Sequence, residues 1–333
     1  MILGLVFNYN GNFNLSQKHL YNQGQKAMYA LLQYARKYNL SVELQLCLFD
    51  KLVLPILTYN CEVWGYENTS LTENLHLKFL KYILKLKNST PTIMIYGELG
   101  RYPLYIEIMG RILGYWLRLI NSKPSKLNLK LYKICKNTVD LNLPRNSLFK
   151  WIHKIKSILQ DLNESWLWNA SINLNSNEIY RMKKHFTFIL EKKYEVLWKE
   201  EVFRTPKCYL YRVYKSDFVK EKYFSKLSDA MSIALCRFRA CNHKLPIESG
   251  RYLNIPRSER SCHLCNVNEL CDEYLVIFKC EALNSLRQKY LPYYQRRIRQ
   301  NTSVMALYNI FNTSERHLKK LTLFIINLTK LFT

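Results

Sequence analysis

Adjacent acidic residues are scarce in this sequence, and their scarcity bears on catalysis. The chain has 25 Asp and Glu among 333 residues but no Asp-Asp pair, and its neighbouring carboxylates are confined to Glu200–Glu201 and Asp272–Glu273. Nucleotidyl transfer or phosphodiester cleavage at two metal ions needs clustered carboxylates that hold those ions. The sequence also lacks a P-loop and a glycine-rich dinucleotide turn. We therefore expect no Mg²⁺ site and no catalytic residues in this chain.

Long apolar runs are missing as well. The stretch from Ile2 to Phe7 is too short for a signal peptide, and no basic residue precedes it. The C-terminal LTLFIINLTKLF is shorter than a membrane span and contains Lys330, which favours a buried amphipathic helix. Ten cysteines, four of them clustered, indicate reduced thiols with one metal site and not a disulfide framework. We expect an intracellular protein, nuclear or cytoplasmic, with no membrane partner.

Basic residues, in contrast, are abundant. Lys and Arg number 50, which gives a formal net charge of +25 at pH 7. Hydrophobic residues make up 48% of the chain and aromatic residues 14%, so the protein is predicted to be globular. The excess of positive charge favours a polyanionic partner, with nucleic acid as the first candidate and an acidic membrane surface as the second.

Apolar residues recur at helical spacing along most of the chain, which predicts a mainly α-helical fold. The predicted helices cover residues 15–38 with Asn14 as N-cap, 43–54 ending at Pro55, 71–86, 104–119, 148–159, 179–197 and 318–328. The N-terminal ILGLVFNYNGNF is predicted to form a short β-hairpin, because Asn10-Gly11 suits a tight turn between two β-like runs.

Four cysteines are spaced C-x2-C-x5-C-x8-C at Cys262, Cys265, Cys271 and Cys280. Two thiolates two residues apart can bind one tetrahedral ion, and the two later cysteines complete four soft ligands. Zn²⁺ suits such thiolate sites best, so the spacing predicts one structural zinc ion. The alternative is that Cys271 and Cys280 are small buried hydrophobic residues beside a CxxC that binds no metal.

Basic residues surround this cysteine segment. Those that precede it are Arg237, Arg239, His243, Lys244, Arg251, Arg257 and Arg260, and those that follow it are Arg296, Arg297 and Arg299. Lys78, Lys81 and Lys85 lie off the apolar stripe of the predicted 71–86 helix. A cationic surface with interleaved aromatic residues neutralises phosphates and stacks on bases, which predicts sequence-independent binding of RNA or DNA. The alternative is a solvated charged surface.

Several segments resemble the open reading frame 2 protein of LINE-type (non-LTR) retrotransposons. FRACNHKLPIESGRYLNIPRSERSCHLC, with DEYLVIFKC and LRQKYLPYY after it, resembles the C-terminal zinc knuckle of that family. The first strands resemble the last hairpin of the polymerase palm, and LTYNCEVWGYE matches a family signature through Tyr59, Glu62 and Trp64. MIYGELGRYPLYIEIMGRILGYWLRLI resembles a further block.

The resemblance implies a domain layout and a ligand set. It places a palm remnant at residues 1–13, a thumb-like helical bundle at 14–122, a helical connector at 123–225 and a zinc-knuckle nucleic-acid-binding domain at 226–333. The family has a histidine ligand at position 275, where this chain has leucine. If residues 272–278 are helical, Cys271 lies one turn earlier on the same face and is expected to replace it. His263 or Glu273 would be a weaker substitute.

The function implied is that of a C-terminal fragment of a reverse transcriptase. Such a fragment lacks the polymerase aspartates and any nuclease, so it is not an enzyme alone but holds RNA or DNA through its thumb and knuckle. The alternative is a stand-alone zinc-knuckle module, co-opted by its host, that binds nucleic acid or protein.

Overall fold

The fold is built almost entirely from helices. The computed structural model describes residues 4–6, 8–141, 149–170, 172–265, 268–293 and 304–332. Helices account for 71% of these described residues. In these ranges β structure is confined to isolated bridges, such as Leu99 with Lys220 and Ser261 with Leu270. The prediction of a mainly α-helical protein is confirmed.

The helices follow one another with short connections. In chain order they are α1 (Asn14–Lys37), α2 (Val42–Leu48), α3 (Leu54–Leu57), α4 (Cys61–Trp64), α5 (Ser70–Ile83), α6 (Thr92–Leu99), α7 (Leu104–Ile120), α8 (Leu127–Asp140), α9 (Lys150–Asp161), α10 (Ser176–Arg204), α11 (Tyr211–Tyr214), α12 (Tyr223–Lys226), α13 (Asp229–Arg239), α14 (Pro246–Tyr252), α15 (Asn284–Tyr290), α16 (Met305–Phe311) and α17 (Glu315–Leu331). Short 3₁₀ turns cover Ser165–Trp168, Pro206–Cys208, Arg257–Glu259 and Glu281–Leu283, and π-helical turns cover Phe49–Val53 and Leu275–Lys279.

The chain divides into two compact units. Unit 1 contains residues 1–40, 44–79 and 102–196, and unit 2 contains residues 41–43, 80–101 and 197–333. These units do not follow the boundaries predicted at residues 122 and 225. Residues 80–101 group with the cysteine-rich region, and most of the predicted connector groups with the N-terminal helices.

The predicted N-terminal hairpin is described only around its turn. The backbone N–H of Gly11 donates to the carbonyl of Asn8 at 3.1 Å. Gly11 has φ +74°, a conformation that glycine adopts without steric cost. Residues 1–3 and 7 of the flanking runs lie outside the described residues, so the hairpin stays a prediction.

The sequence predicted that the second helix ends at Pro55, but the helical path continues past this residue. The helical path continues through the π turn Phe49–Val53 into α3, in which Pro55 occupies the first turn. Proline has no N–H to donate, and the first turn of a helix is where that loss costs least. The Leu54 N–H donates to the Phe49 carbonyl five residues earlier, which is the π-helical pattern. A new helical segment, α3, then begins at Leu54, one residue before the proline.

The core of unit 1 forms around the buried face of α1. Leu20, Met28 and Leu31 are buried at helical spacing on this face, where Gly24 lies against Leu57 of α3. Trp64 is fully buried, and its indole N–H donates to the Tyr59 carbonyl at 2.8 Å.

The core of unit 2 forms around α6, in which every residue from Ile93 to Leu99 is buried. Gly97 allows a close approach here, since a Cβ atom on it would lie 2.7 Å from the Trp198 ring and 2.6 Å from the Tyr211 hydroxyl. The predicted C-terminal amphipathic helix is α17. Its buried stripe consists of Leu318, Leu321, Thr322, Phe324, Ile325 and Leu328.

None of the helices in the described ranges combines the length and the apolar character that a membrane crossing requires.

Candidate metal centre and basic surface

Backbone pairing brings the two ends of the cysteine loop together in unit 2. Ser261 and Leu270 form an isolated antiparallel bridge. Next to it, the Cys271 N–H donates to the Arg260 carbonyl at 2.8 Å. Because each bridged residue is followed by a cysteine, this pairing holds Cys262 and Cys271 close to each other.

Three thiols converge at this point. The sulfur atoms of Cys262, Cys265 and Cys280 all lie within 4.8 Å of one another, and those of Cys262 and Cys280 are 3.8 Å apart. Four sulfur atoms at the Zn–S distance of 2.3 Å form a tetrahedron with an edge of about 3.8 Å. The spacing and the donor set therefore fit a metal ion bound by thiolates.

Cys271 is the fourth cysteine near this site. Its buried thiol is within hydrogen-bonding reach of Cys262, but it is not one of the three sulfur atoms that are all mutually close. Leu275, at the position of the family histidine, is buried in the π turn. His263, a weaker substitute in the prediction, packs its ring against Phe332 with the ring centroids 5.0 Å apart.

The thiols have different pKa values. For Cys280, burial and then a hydrogen bond with Cys265 raise the pKa to about 12. For Cys262, burial raises the pKa, but hydrogen bonds from the Leu264 backbone, Cys271 and Cys265 outweigh it and leave the pKa lowered. Ionised thiols packed this closely repel one another, and a bound cation offsets that repulsion.

Arg287 positions the last cysteine of the group. This buried side chain, from α15, donates hydrogen bonds to the carbonyls of Cys280 and Val276 and to the side-chain oxygen of Asn284. Its charge also lies close enough to Cys280 and Cys265 to interact with them electrostatically. The guanidinium therefore both anchors the backbone at Cys280 and favours thiolate at the site.

Arg260, predicted as a phosphate contact, anchors the loop that leads into the first cysteine. Its guanidinium donates to the Ile255 carbonyl at 2.7 and 2.9 Å and to the Ile247 carbonyl at 3.0 Å. A Cβ atom on Gly250 would lie 2.7 Å from this side chain, so glycine leaves room for the arginine. These bonds use Nε, Nη1 and Nη2 to hold the loop, and the predicted phosphate contact of the half-buried Arg260 stays a prediction.

His243, also predicted to contact nucleic acid, is buried. Its Nε2 lies 2.9 Å from Glu273, and its Nδ1 accepts from the Leu245 N–H at 3.4 Å. Burial raises the pKa of Glu273, but the His243 interaction outweighs burial and leaves that pKa lowered. The histidine thus ties its own loop to the segment after Cys271, and the prediction that it contacts a ligand is corrected.

Arg239 is the clearest departure from the predicted surface. Only 1% of its side chain is exposed, and it donates from Nε and Nη2 to both carboxylate oxygens of Glu98 at 2.9–3.2 Å. Nη2 also lies 3.1 Å from Glu221, while the guanidinium packs over the rings of Tyr214 and Phe311. Since solvent does not reach this group, Arg239 is an internal ion pair and not a phosphate contact.

Several other predicted contacts do lie on the surface of unit 2. Arg237, Lys244 and Arg257 are exposed. Arg251 is half-buried, with its Nε 3.4 Å from Glu248. These four cations, with the half-buried Arg260, can meet a polyanion.

The remaining predicted contacts are spread more widely. Arg296, Arg297 and Arg299 lie outside the described residues. Lys78 is exposed in unit 1 and donates to the Tyr29 hydroxyl at 2.8 Å, whereas Lys81 and Lys85 belong to unit 2. Lys81 donates to the Asn88 carbonyl at 2.8 Å. The predicted lysine group is therefore divided between the two units, with Lys78 and Lys81 on the same helix, α5.

The sequence prediction missed a set of aromatic and arginine side chains in unit 2. The Arg212 guanidinium lies 4.9 Å from the ring centroid of Phe203 and 5.1 Å from that of Tyr209. Arg257 lies 5.3 Å from the same Tyr209 ring. The alternation of aromatic and basic residues between positions 203 and 212 was the available signal, in a region whose helical pattern is otherwise weak.

Comparisons with protein-family models, curated proteins and solved structures find no match to this chain. The retrotransposon resemblance therefore depends on the sequence segments alone.

Proposed function

We propose that the chain is a non-catalytic nucleic-acid-binding protein whose cysteine-rich unit 2 is held in shape by a structural zinc ion. The observation that carries the proposal is the combination of a +25 net charge with exposed Arg237, Lys244 and Arg257 in the unit that contains the thiol cluster. Such cations bind phosphates without reading the base sequence.

Zinc would have a structural role at this site. Cys262, Cys265 and Cys280 would hold it, with Cys271 as the fourth donor, and the ion would fix the loop that Arg260 and Arg287 anchor. Thiolate ligands favour zinc over Mg²⁺ or Ca²⁺, which prefer oxygen. The cations that meet the phosphates would be side chains of the protein, so the zinc site needs no open coordination position.

We also propose that the protein derives from the C-terminal region of a LINE-type reverse transcriptase. The support is the set of segments that resemble this family, together with the absence of an Asp-Asp pair from the sequence. Sequencing the adjoining genomic DNA tests this origin. An intact or decayed frame for a polymerase palm would support it, and conserved boundaries of a separate host gene would contradict it.

The salt dependence of binding tests the phosphate contacts. Replacing Arg237, Lys244 and Arg257 together with glutamine removes three cations, so the slope of log K against log salt should become shallower by about 2–3. The matched control replaces Lys123, Lys126 and Lys130, three exposed lysines of unit 1, and removes the same charge. Equal slope changes in both variants, or salt-insensitive binding by the unmodified protein, would contradict the proposal.

A further inference from the structure

The missed aromatic–arginine set forms a continuous ladder on unit 2. In order of contact it runs Phe203, Arg212, Tyr209, Arg257, with each guanidinium 4.9–5.3 Å from a ring centroid. Arg212 is also fixed by a hydrogen bond from Nη1 to the Phe203 carbonyl at 3.1 Å. The ladder is therefore a defined arrangement of planar groups and not a set of unrelated surface side chains.

The rings of this ladder are open to solvent. Phe203 is 70% exposed and Tyr209 is 44% exposed, although both are large enough to stabilise a core if buried. The guanidinium groups between them offer further flat surfaces that stack on π systems. An exposed series of planar apolar and cationic groups matches a ligand that carries flat rings and negative charge.

Nearby contacts indicate that such a ligand would lie on the ladder and not inside the protein. The cavity bordered by Tyr209, Arg251 and Arg257 has a volume of about 20 Å³, which is room for a single water molecule. Glu248 lies 2.9 Å from Lys207 and 3.4 Å from Arg251, so it engages the other two cations beside this cavity. Arg212 and Arg257 are left as the cations of the ladder itself.

We propose that the Phe203–Arg212–Tyr209–Arg257 ladder stacks on unpaired bases, so that the protein prefers single-stranded nucleic acid to a duplex. Paired bases cover their faces with their neighbours, whereas an unpaired strand can add its bases to an exposed aromatic or guanidinium plane. The inference rests on the proposed nucleic-acid binding. It adds the class of ligand, because phosphate contacts alone do not favour unpaired strands.

The test measures the binding of the full chain to a short unstructured RNA, the corresponding single-stranded DNA and a duplex of equal length, by fluorescence anisotropy at one salt concentration. Replacing Phe203 and Tyr209 with leucine keeps apolar bulk but removes the π faces. For each stacked base that is lost, single-strand binding should weaken by about 5- to 150-fold while duplex binding stays unchanged.

Conservative variants separate stacking from charge and from folding. Phe203→Tyr and Tyr209→Phe should keep single-strand binding, whereas Arg212→Lys should weaken it despite the retained charge, because the guanidinium plane is lost. Leu253→Ala, at a side chain of unit 2 that is 69% exposed, should have no effect. Circular dichroism and the unfolding temperature confirm that each variant is folded.

The possible failures can be told apart. Salt-dependent binding by the unmodified protein with no preference for single strands, or equal losses for single strand and duplex in the leucine variants, would overturn the stacking inference alone. No binding of any nucleic acid by the unmodified protein would overturn the proposed function and this inference with it.

Discussion

Replacing Arg239 with methionine tests whether this residue supports the core of unit 2. The change removes three hydrogen bonds to Glu98, which is fully buried and would keep only the Tyr223 hydroxyl as a donor among these contacts. Glu221 would keep Lys215 at 2.6 Å. The variant therefore leaves the buried Glu98 carboxylate without its cationic partner. The loss of one partner of a buried pair lowers the free energy of unfolding by about 3–5 kcal/mol.

A second variant removes both charges of the pair. Combining Glu98→Leu with Arg239→Met leaves no unpaired charge at this position, although the Tyr223 hydroxyl loses its acceptor at a cost of about 1–3 kcal/mol. Since an unpaired buried carboxylate costs more than an unpaired hydroxyl, we expect the double variant to be more stable than Arg239→Met alone. Arg237→Met, at an exposed arginine on the same helix, is the matched control and should change stability by about 0.5 kcal/mol or less.

Urea unfolding followed by circular dichroism measures these free energies, and the midpoint temperature gives a second readout. A loss of 3–5 kcal/mol lowers the unfolding temperature of a unit this size by about 6–20 °C. The reasoning is refuted if Arg239→Met is as stable as the Arg237→Met control, or if the double variant is less stable than Arg239→Met.

Three further predictions address the metal centre, unit 1 and the packing of α6. Cys262→Ser should abolish stoichiometric zinc in metal analysis of the purified protein and destabilise unit 2. The control Cys47→Ser, at an exposed cysteine, should leave zinc bound. Zinc that stays fully bound in Cys271→Ala would remove Cys271 from the ligand set. Burial raises the pKa of Asp140, but hydrogen bonds from Trp168, Lys136 and Lys156 outweigh burial and hold the pKa below its usual value of 3.8. The ionised carboxylate therefore stabilises unit 1 at pH values above 3.8. The stability difference between the wild type and Asp140→Asn should therefore be fully present at neutral pH and disappear as the pH falls through the lowered pKa, and a pH-independent difference in urea unfolding would contradict this. Gly97→Ala should destabilise unit 2 by about 1–3 kcal/mol, because the new methyl meets the Trp198 and Tyr211 side chains, and a stability gain from helix propensity would show that these rings move aside.

Helical periodicity carried most of the fold prediction. The predicted helix at residues 15–38 is observed as α1, Asn14–Lys37, and the stripe from Leu318 to Leu328 faces the core of α17. The grouping of the helices was not predictable in the same way. Residues 80–101 belong to unit 2 through tertiary contacts such as the bond from the Trp198 indole to the Ile93 carbonyl at 2.8 Å, which no local pattern encodes.

The thiol cluster was predictable to a similar extent. The C-x2-C spacing identified Cys262 and Cys265, and Cys280 joins them as expected. The supporting role of Arg287 was not foreseen, because its partners include the carbonyls of Val276 and Cys280 and a carbonyl carries no residue-specific signal. A basic residue near a cysteine is interpreted as a surface charge until the backbone path is known.

The opposite fates of Arg237 and Arg239 follow from helix geometry. Residues two apart on an α-helix point about 200° away from each other, so the two arginines of α13 cannot share one exposed face. Ser232, Leu235, Cys236 and Arg239 are buried at the spacing i, i+3, i+4 and i+7, which makes Arg239 the last member of the buried stripe. A charge at that position requires a buried partner, and Glu98 on the fully buried α6 supplies it. The helical periodicity of α13 therefore separates its structural arginine from the one available to a ligand.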